Sequence, residues 1–391
     1  MNFRLTDEQK MVVSSAKEIA EKFNLEYWRE KDRKHEFPVE FWDALAKAGF
    51  VGMILPEEYG GGGMGLLDLT LATETLGSEA CGIGGGFFIL LTTIFVGLPV
   101  AKHGTKEQKE KYLPKICSGE MLGCMAVTEP EAGSNTLNIT TTAKKEGDEY
   151  VINGQKVFIS NVDKAHVMLL LTRTTPIDKT PKRSFGLSLF LIDLPNPAIE
   201  ITPIEKLGLH YVNSCEVFIN DLRVSEECLL GEKDKGFYIL WDVLNPERIN
   251  NAANAVSCGL LALKLAVKYA KQRSVFKEPI GAYQGIQLPL AEAKAKLEAA
   301  RLLYHKAAWL FDEGLPCGAE SNMAKVVAVE AAGETITYAY ETFGGYGYAV
   351  EQDIERIWRD FQVLRVAPIT QQLALAYIGE RVLGLPKSYQ T

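Results

Sequence analysis

The chain has few residues of the kinds that bind metals or form disulfides. Among its 391 residues are five histidines and seven cysteines. The cysteines are spread singly with no CxxC pair, which indicates reduced thiols rather than a disulfide framework. The histidines show no metal-ligand spacing, so no metal site is expected. They are His35, His103, His166, His210 and His305.

The chain also lacks the features of several other protein classes. Its first residues, MNFRLTDEQK, become polar at once, so no signal peptide is predicted. The most apolar run, residues 87–100, is too short to cross a bilayer and predicts a buried helix. The formal net charge is -8 and no basic run is present, which argues against a nucleic-acid partner. We therefore expect a cytoplasmic protein with no membrane insertion.

The pattern of apolar residues divides the chain into three zones. Residues 1–120 are predicted to be helical and start with a capping box at Thr6–Gln9, followed by periodic apolar positions. Residues 121–234 contain strand-like segments separated by turn formers, with a hairpin connection at 146–148. Long amphipathic helices return over residues 235–391. This order predicts three domains with these boundaries, in a chain long enough for substantial cores.

The most informative stretch is residues 125–161. A turn of small polar residues joins two strand-like segments there, and nothing in it resembles a phosphate loop. Hydroxyl groups, a glycine and an aromatic ring together suit a flat ligand with a polar edge. The alternative is a hairpin with an Asx- or Ser-type turn, but the order of the parts favours a site. The candidate residues are Thr128, Gly133, Ser134, Phe158 and Ser160.

This stretch resembles the flavin-binding signature of acyl-CoA dehydrogenases, and the similarity extends over essentially the whole chain. The resemblance implies an α+β multidomain fold with an N-terminal helical domain, a middle β-barrel-like domain that faces the flavin, and a C-terminal four-helix bundle. It also implies FAD as the cofactor. Phe158 stands where the family usually has Trp, so stacking is expected over a smaller area. The implied cofactor contacts in this stretch are Met125, Val127, Thr128, Gly133, Ser134, Phe158 and Ser160, with Ser134 also near the substrate.

The resemblance also bears on the catalytic base. In many family members a C-terminal Glu takes the proton, but Pro368 stands at the matching position and cannot do so. Either the enzyme is inactive or its base comes from elsewhere. In the branch of isovaleryl- and long-chain-type dehydrogenases, a Glu on an earlier helix precedes an Arg. The run Asn245-Pro246-Glu247-Arg248 matches that place, so Glu247 is the candidate base, and Arg248 and Asn245 are candidate substrate contacts.

The local pattern around Glu247 predicts a helix start. Asn245 is a good N-cap, and Pro246 fits the first helical position, which places Glu247 in the first turn. There the helix dipole would lower the carboxyl pKa, and catalysis would need substrate-induced desolvation. The alternative is that Glu247 only stabilises the helix start. Because Pro368 lacks the N–H that the resemblance assigns to the thioester carbonyl, a flavin ribityl hydroxyl, the N–H of Ile369 or a water is expected to replace it.

Further cofactor contacts implied by the resemblance lie in the C-terminal third. One element would reach the FAD of a neighbouring subunit, where Arg273 would pair with the pyrophosphate. A site shared between subunits implies an oligomer, which in this family is a homotetramer. The implied contacts are Arg273, Phe276, Gln284, Gly344, Gly345, Thr370 and Gln372.

The predicted function is FAD-dependent α,β-dehydrogenation of an acyl-CoA to a trans-2-enoyl-CoA, as in the β-oxidation of fatty acids. Electrons would then pass to an electron-transfer flavoprotein. One alternative is a flavin oxidase or monooxygenase on the same fold. Another is a catalytically silent acyl-CoA- or FAD-binding homologue, suggested by the missing C-terminal Glu. A nicotinamide dehydrogenase is disfavoured because no strand-GxGxxG-helix unit is present.

Overall fold

Helices form the N-terminal part of the computed structural model, which describes residues 4–388. The first helix begins with the predicted capping box: Gln9 N donates to Thr6 Oγ1, and Thr6 N donates to Gln9 Oε1, both at 3.1 Å. The apolar face of this helix is buried, as its periodicity predicts. The α-helices of this part are α1 Asp7–Lys22, α2 Leu25–Lys34, α3 Val39–Lys47, α4 Leu66–Leu76, α5 Gly84–Ile89, α6 Leu98–His103 and α7 Lys106–Cys117.

One long apolar helix passes through the N-terminal core. It runs from Gly84 to His103 and consists of α5, the π-helical segment Leu90–Gly97 and α6. In length and composition it is sufficient to cross a membrane, so the expectation that this run is too short was wrong. However, 89% of its most apolar window is buried inside the protein. The prediction of a buried helix is therefore confirmed.

A sheet follows in the middle of the chain. Strands β2 and β3 pair as an antiparallel hairpin joined at Gly147 and Asp148, as predicted. Strand β1 lies parallel to β4, with Met125 opposite Leu169. Strand order is β6-β7-β3-β2-β4-β5-β8, with β1 attached to β4. The strands are β1 Gly123–Ala126, β2 Thr142–Glu146, β3 Glu149–Ser160, β4 Val167–Arg173, β5 Leu187–Asp193, β6 Ile199–Pro203, β7 Ser214–Ser225 and β8 Leu229–Leu230.

Long helices return after the sheet. The first of them, α8, is a continuous helix in which Pro246 lies well inside the element. The predicted helix start at Asn245 is therefore wrong. A short hairpin of two further strands separates α8 from α9. The elements are α8 Gly236–Gln272, β9 Ser274–Val275, β10 Glu278–Pro279, α9 Gln284–Asp312, α10 Gly318–Phe343, α11 Ile354–Phe361, α12 Val363–Val366 and α13 Gln371–Tyr377.

A buried ionic cluster fixes the three parts of the chain against one another. Arg359 of α11 pairs with Asp32 of α2 at 2.9 Å, and Asp32 Oδ1 lies 3.4 Å from His210 Nδ1 of the middle part. Asp360 Oδ1 accepts from the backbone N–H of Leu209 at 2.6 Å. Burial raises the pKa of Asp360 to about 6 despite nearby cationic groups. Helix α11 is thus held against α2 and against Leu209 and His210 of the middle part.

Candidate functional site

The predicted flavin segment lies where β1 ends against β3. Pairing of β1 with β4 fixes Met125, and the backbone oxygen of Thr128 accepts from Val157 N at 2.9 Å. Met125, Val127 and Thr128 are each partly exposed. The structure therefore brings the two ends of the predicted stretch together, with Thr128 beside the strand that carries Phe158.

Phe158 has the unusual conformation of this segment. Its backbone has φ +60°, a region that disfavours bulky residues, and its ring is 65% exposed although its strand neighbours Val157 and Ile159 are buried. Two residues on, Ser160 is half-buried, and its Oγ lies 3.4 Å from Ser214 Oγ. A strained backbone that presents an uncovered aromatic ring is typical of a ligand-contacting position.

The turn between β1 and β2 is open to solvent. Glu129 and Ala132 close it through two backbone hydrogen bonds of 3.2 and 3.1 Å. Gly133 and Ser134 follow on the exposed side, and no atom lies within 4 Å of the place where a Cβ of Gly133 would sit. The protein itself therefore leaves room for a ligand next to these residues.

Sequence reasoning missed a buried ion pair behind this turn. Lys156 Nζ donates to Glu129 Oε1 at 2.9 Å and to the Val127 backbone oxygen at 3.0 Å. Glu129 also accepts from the backbone N–H groups of Thr140 and Thr141 at 2.6 and 2.9 Å. Burial alone would raise the pKa of Glu129, but Lys156 and these donors lower it to about 2. The pair fixes the turn against β3.

Glu247 lies in the interior of α8. Its side chain is 1% exposed, and its Oε1 has no hydrogen-bond partner. Burial, offset only in part by the charges of Arg248 and Lys325, raises the pKa of Glu247 to about 7. The prediction that a helix dipole lowers this pKa was wrong, because α8 begins at Gly236, several turns earlier. The carboxyl is already desolvated before any substrate arrives.

Two cations influence this carboxyl. Burial lowers the pKa of Lys325 on α10 to about 8 although Glu247 attracts the ammonium group, and it also lowers the pKa of the Arg248 guanidinium. Lys325 Nζ donates to the backbone oxygen of Leu364 at 3.1 Å. Lys325 is fully buried, and sequence reasoning missed it because a single Lys in a helical segment carries no signal. Its hydrogen bond anchors the segment that leads to Pro368, and its charge acts on Glu247.

Asn245 is not brought next to Glu247. Residues two apart on a helix point about 160° from each other. Asn245 instead lines a cavity of about 320 Å³, together with Trp241 and Phe311. Arg248 neighbours Glu247 and is partly buried, and its Nε lacks a partner.

The remaining predicted cofactor contacts lie on the surface of the C-terminal part. Phe276, in the β9–β10 hairpin, has φ +54° and is 88% exposed. Thr370 is the N-cap of α13, where its Oγ1 accepts from Leu373 N at 3.2 Å. The structure does not bring these residues into contact with the predicted flavin segment in the same chain. Thr370 is partly exposed, and the exposed predicted contacts are Arg273, Phe276, Gln284, Gly344, Gly345 and Gln372. Pro368 is also exposed.

Over residues 4–388 no group of three or more His, Cys, Asp or Glu side chains could hold a metal ion. All seven cysteines are free, and six of them are buried.

Comparison with known proteins agrees with this arrangement. Models of the N-terminal, middle and C-terminal domains of acyl-CoA dehydrogenases match residues 6–120, 124–222 and 234–383. The acyl-CoA dehydrogenase FadE12 of Mycobacterium tuberculosis is 39% identical over 367 residues, which is 93% of each chain. The chain belongs to the acyl-CoA dehydrogenase family.

Two solved structures share the whole fold. Butyryl-CoA dehydrogenase from Megasphaera elsdenii is 34% identical, with a TM-score of 0.93 over 98% of this chain and 100% of that one. A chain solved in work on the electron transferring flavoprotein of Acidaminococcus fermentans and its electron bifurcation is 35% identical, with a TM-score of 0.93 and the same coverage. The three-domain fold of acyl-CoA dehydrogenases, with helical, β-sheet and helical parts, is thus confirmed.

This acyl-CoA dehydrogenase is an FAD-dependent oxidoreductase, and the cofactor prediction is confirmed. The residues present fit such a group. An uncovered aromatic ring, a hydroxyl two residues on and an open turn at Gly133 lie in one region of the middle part. A flat ring with a polar edge needs an apolar contact and edge-directed hydrogen bonds. This region can provide both.

Proposed function

We propose that the chain oxidises an acyl-CoA thioester to the trans-2-enoyl-CoA, with Glu247 as the base. The observation that supports this is the buried, unpartnered carboxyl of Glu247 with a pKa of about 7. A general base is most effective when its pKa is near the working pH. An ordinary surface Glu would be a far weaker base towards the α-proton of a thioester.

The surrounding charges suit this role. At neutral pH a large fraction of Glu247 is ionised, and Lys325 and Arg248 favour that form. We propose that Arg248 orients the substrate next to the carboxyl and that Asn245 contacts a part of the CoA outside the acyl pocket. Asn245 fits this second role because it lines the cavity that contains Trp241.

We propose that FAD lies against Met125, Val127, Thr128, Ser134, Phe158 and Ser160, with Gly133 allowing a close approach. When bound, FAD supplies the acceptor for the β-hydrogen, which no side chain can replace. Phe158 would cover one face of the ring, and the Thr128 and Ser160 hydroxyls would bond its edge. The buried pair Lys156–Glu129 would keep this surface in place before the cofactor binds.

The thioester carbonyl needs a hydrogen-bond donor as negative charge develops on its oxygen. Pro368 offers no N–H, so we propose that a flavin ribityl hydroxyl, the N–H of Ile369 or a water supplies it. One well-placed donor is worth about 3–4 kcal/mol of barrier. Lys325 holds the preceding segment through Leu364 and so contributes to the position of this donor.

The exposed contacts lead to a proposal about assembly. Arg273, Phe276 and Gln284 would bind the FAD of a neighbouring subunit in a homotetramer. Gly344, Gly345, Thr370 and Gln372 would complete the cofactor site. Among residues 4–388 no side chain bonds the Arg273 guanidinium, and the Phe276 ring is uncovered, which supports contacts made outside this chain. We further propose domain boundaries at 120 and 234, a cytoplasmic location, and an electron-transfer flavoprotein as the acceptor in β-oxidation.

The test is anaerobic titration of the FAD-loaded protein with acyl-CoAs of varied chain length. Bleaching of the flavin absorbance is expected with the wild type. Glu247→Gln should keep FAD and acyl-CoA binding but lose bleaching by several orders of magnitude. Glu79→Gln, a change in a partly exposed helical position, serves as the matched control and should bleach normally.

Other results would favour the alternatives. Binding of acyl-CoA without any reduction of the flavin would indicate a catalytically silent homologue. Rapid reoxidation of the reduced flavin by O₂ in a stopped-flow trace would indicate an oxidase or monooxygenase. Near-normal bleaching by Glu247→Gln would exclude Glu247 as the base.

A further inference from the structure

The face of α8 that carries Glu247 continues with amide side chains. In an α-helix, residues four and seven positions on return to nearly the same face, about 6 and 10.5 Å further along the axis. At these places stand Asn251 and Asn254, and Asn250 lies beside them. An acyl pocket for a purely aliphatic chain would be expected to have apolar residues there.

These amides are buried and only partly hydrogen-bonded. Asn251 is 1% exposed, and its Nδ2 has no partner; Asn254 is fully buried, and neither its Nδ2 nor its Oδ1 has one. Asn250 differs, since it accepts from Thr73 Oγ1 at 3.0 Å and donates to the Gly86 backbone oxygen at 3.4 Å. Buried polar atoms without a protein partner are uncommon in folded proteins, and a water, an ion or a ligand can supply the missing bond.

The neighbouring helix leaves space for the amides. A Cβ added at Gly86 of α5 would lie 2.8 Å from Asn254 Oδ1. Because Gly86 has no side chain, the Asn254 amide fits between α8 and the N-terminal helices. Next to the buried carboxyl, the interface between α8 and the N-terminal part is therefore polar rather than apolar.

We propose that Asn251 and Asn254 bind a neutral oxygen function, a hydroxyl or a carbonyl, carried by the acyl chain of the substrate. An amide both donates and accepts, so it suits either group. This inference rests on the proposed function, because it takes Glu247 to lie at the reacting end of the acyl chain. The enzyme then selects oxygenated acyl-CoAs over their aliphatic counterparts. A site built to bond a hydroxyl discriminates strongly against an analogue that lacks it, because the amides lose their partners.

The test compares matched thioesters on the FAD-loaded wild type under anaerobic stopped-flow conditions. The pairs are hexanoyl-CoA with ω-hydroxyhexanoyl-CoA and octanoyl-CoA with ω-hydroxyoctanoyl-CoA, since the two amides lie at different depths. For at least one pair we expect the hydroxylated thioester to reduce the flavin with a second-order rate constant about tenfold or more above that of its partner. If the aliphatic thioester reduces the flavin faster in both pairs, the inference is overturned and the amides are assigned to buried water.

Variants make the assignment specific. Asn251→Leu and Asn254→Leu keep the side-chain size and remove the amide, so each should move the preference towards the aliphatic thioester by about tenfold. Asn250→Leu, whose amide already has protein partners, should lower thermal stability without changing the ratio. The inference would also be contradicted if Asn251→Leu and Asn254→Leu both left the ratio of hydroxylated to aliphatic rate constants unchanged. The FAD absorbance spectrum checks folding, and the wild-type ratio decides the question if a variant does not fold.

The two levels of failure are distinct. If no acyl-CoA of either kind bleaches the flavin, the proposed dehydrogenation fails. If hexanoyl-CoA or octanoyl-CoA bleaches it well and the hydroxylated partners do not, the dehydrogenation stands and only the role of Asn251 and Asn254 fails.

Discussion

The raised pKa of Glu247 should be visible as a stability cost, independent of any substrate. The folded-state pKa is about 7, against an ordinary value of 4.5. Between these two values the unfolded chain has lost the proton while the folded chain keeps it, so stability falls as pH rises through this window. Each pKa unit is worth 1.36 kcal/mol, so the full cost is about 3 kcal/mol and is complete above pH ~7. A buried ionised carboxyl is thus retained at the expense of folding.

Replacing Glu247 by Gln removes this term. The unfolding free energy of Glu247→Gln, relative to that of the wild type, should therefore rise by about 3 kcal/mol between pH ~4.5 and pH ~8. Urea unfolding with saturating FAD and fixed protein concentration, followed by far-UV circular dichroism, measures the difference. Glu8→Gln, at an exposed position on α1, is the control and should give a difference that does not vary with pH. Parallel stability curves for Glu247→Gln and the wild type would refute the reasoning.

The same carboxyl should govern the pH dependence of catalysis. The value of kcat/KM reports ionisations of the free enzyme, so it should rise with pH and level off above an apparent pKa of about 7. A profile that is flat between pH 5 and 8 would mean that another group takes the proton.

Three further outcomes follow from neighbouring groups. Lys325→Met removes a cation that favours the ionised base, so the apparent pKa in the kcat/KM profile should move upward. The pKa of Lys325→Arg should stay nearer that of the wild type. A downward shift in Lys325→Met would contradict this. Phe158→Ala should weaken FAD binding by the ~0.5–1.5 kcal/mol of an aromatic contact, measured by fluorescence titration, with no loss in Met11→Ala. Glu129→Ala should cost about 3–5 kcal/mol in urea unfolding, and adding Lys156→Met should recover part of it; additive losses would contradict their pairing.

Patterns that depend on local chemistry were predictable from the sequence. The capping box at Thr6, the hairpin at Gly147 and the change from helices to strands and back were all found where the pattern placed them. Local rules failed at Asn245-Pro246, because a good cap and a good first-turn residue describe a helix start only if no helix already runs through them. Tertiary packing of α8 overrode that signal.

Partners that are distant in the chain were not predictable. Glu129 and Lys156 are separated by 27 residues, and Glu247 and Lys325 lie on different helices, so no spacing rule links them. The burial of polar side chains was also not predictable from the sequence. A run such as Asn250-Asn251 indicates a solvated face when read alone, but all of it is buried at the contact between α8 and the N-terminal helices. The role of the flavin segment came from the resemblance, while the uncovered ring of Phe158 came only from the structure.

The surroundings of Glu247 fit the proposal that a helix interior supplies the base in place of a C-terminal acid. Lys325 acts on both regions: its charge favours the ionised form of Glu247, and its ammonium group donates to the Leu364 backbone oxygen, four residues before Pro368. Pro368 itself is exposed and lies outside the buried surroundings that raise the pKa of Glu247. One buried charge thus acts on the proposed base and also anchors the segment that leads to Pro368.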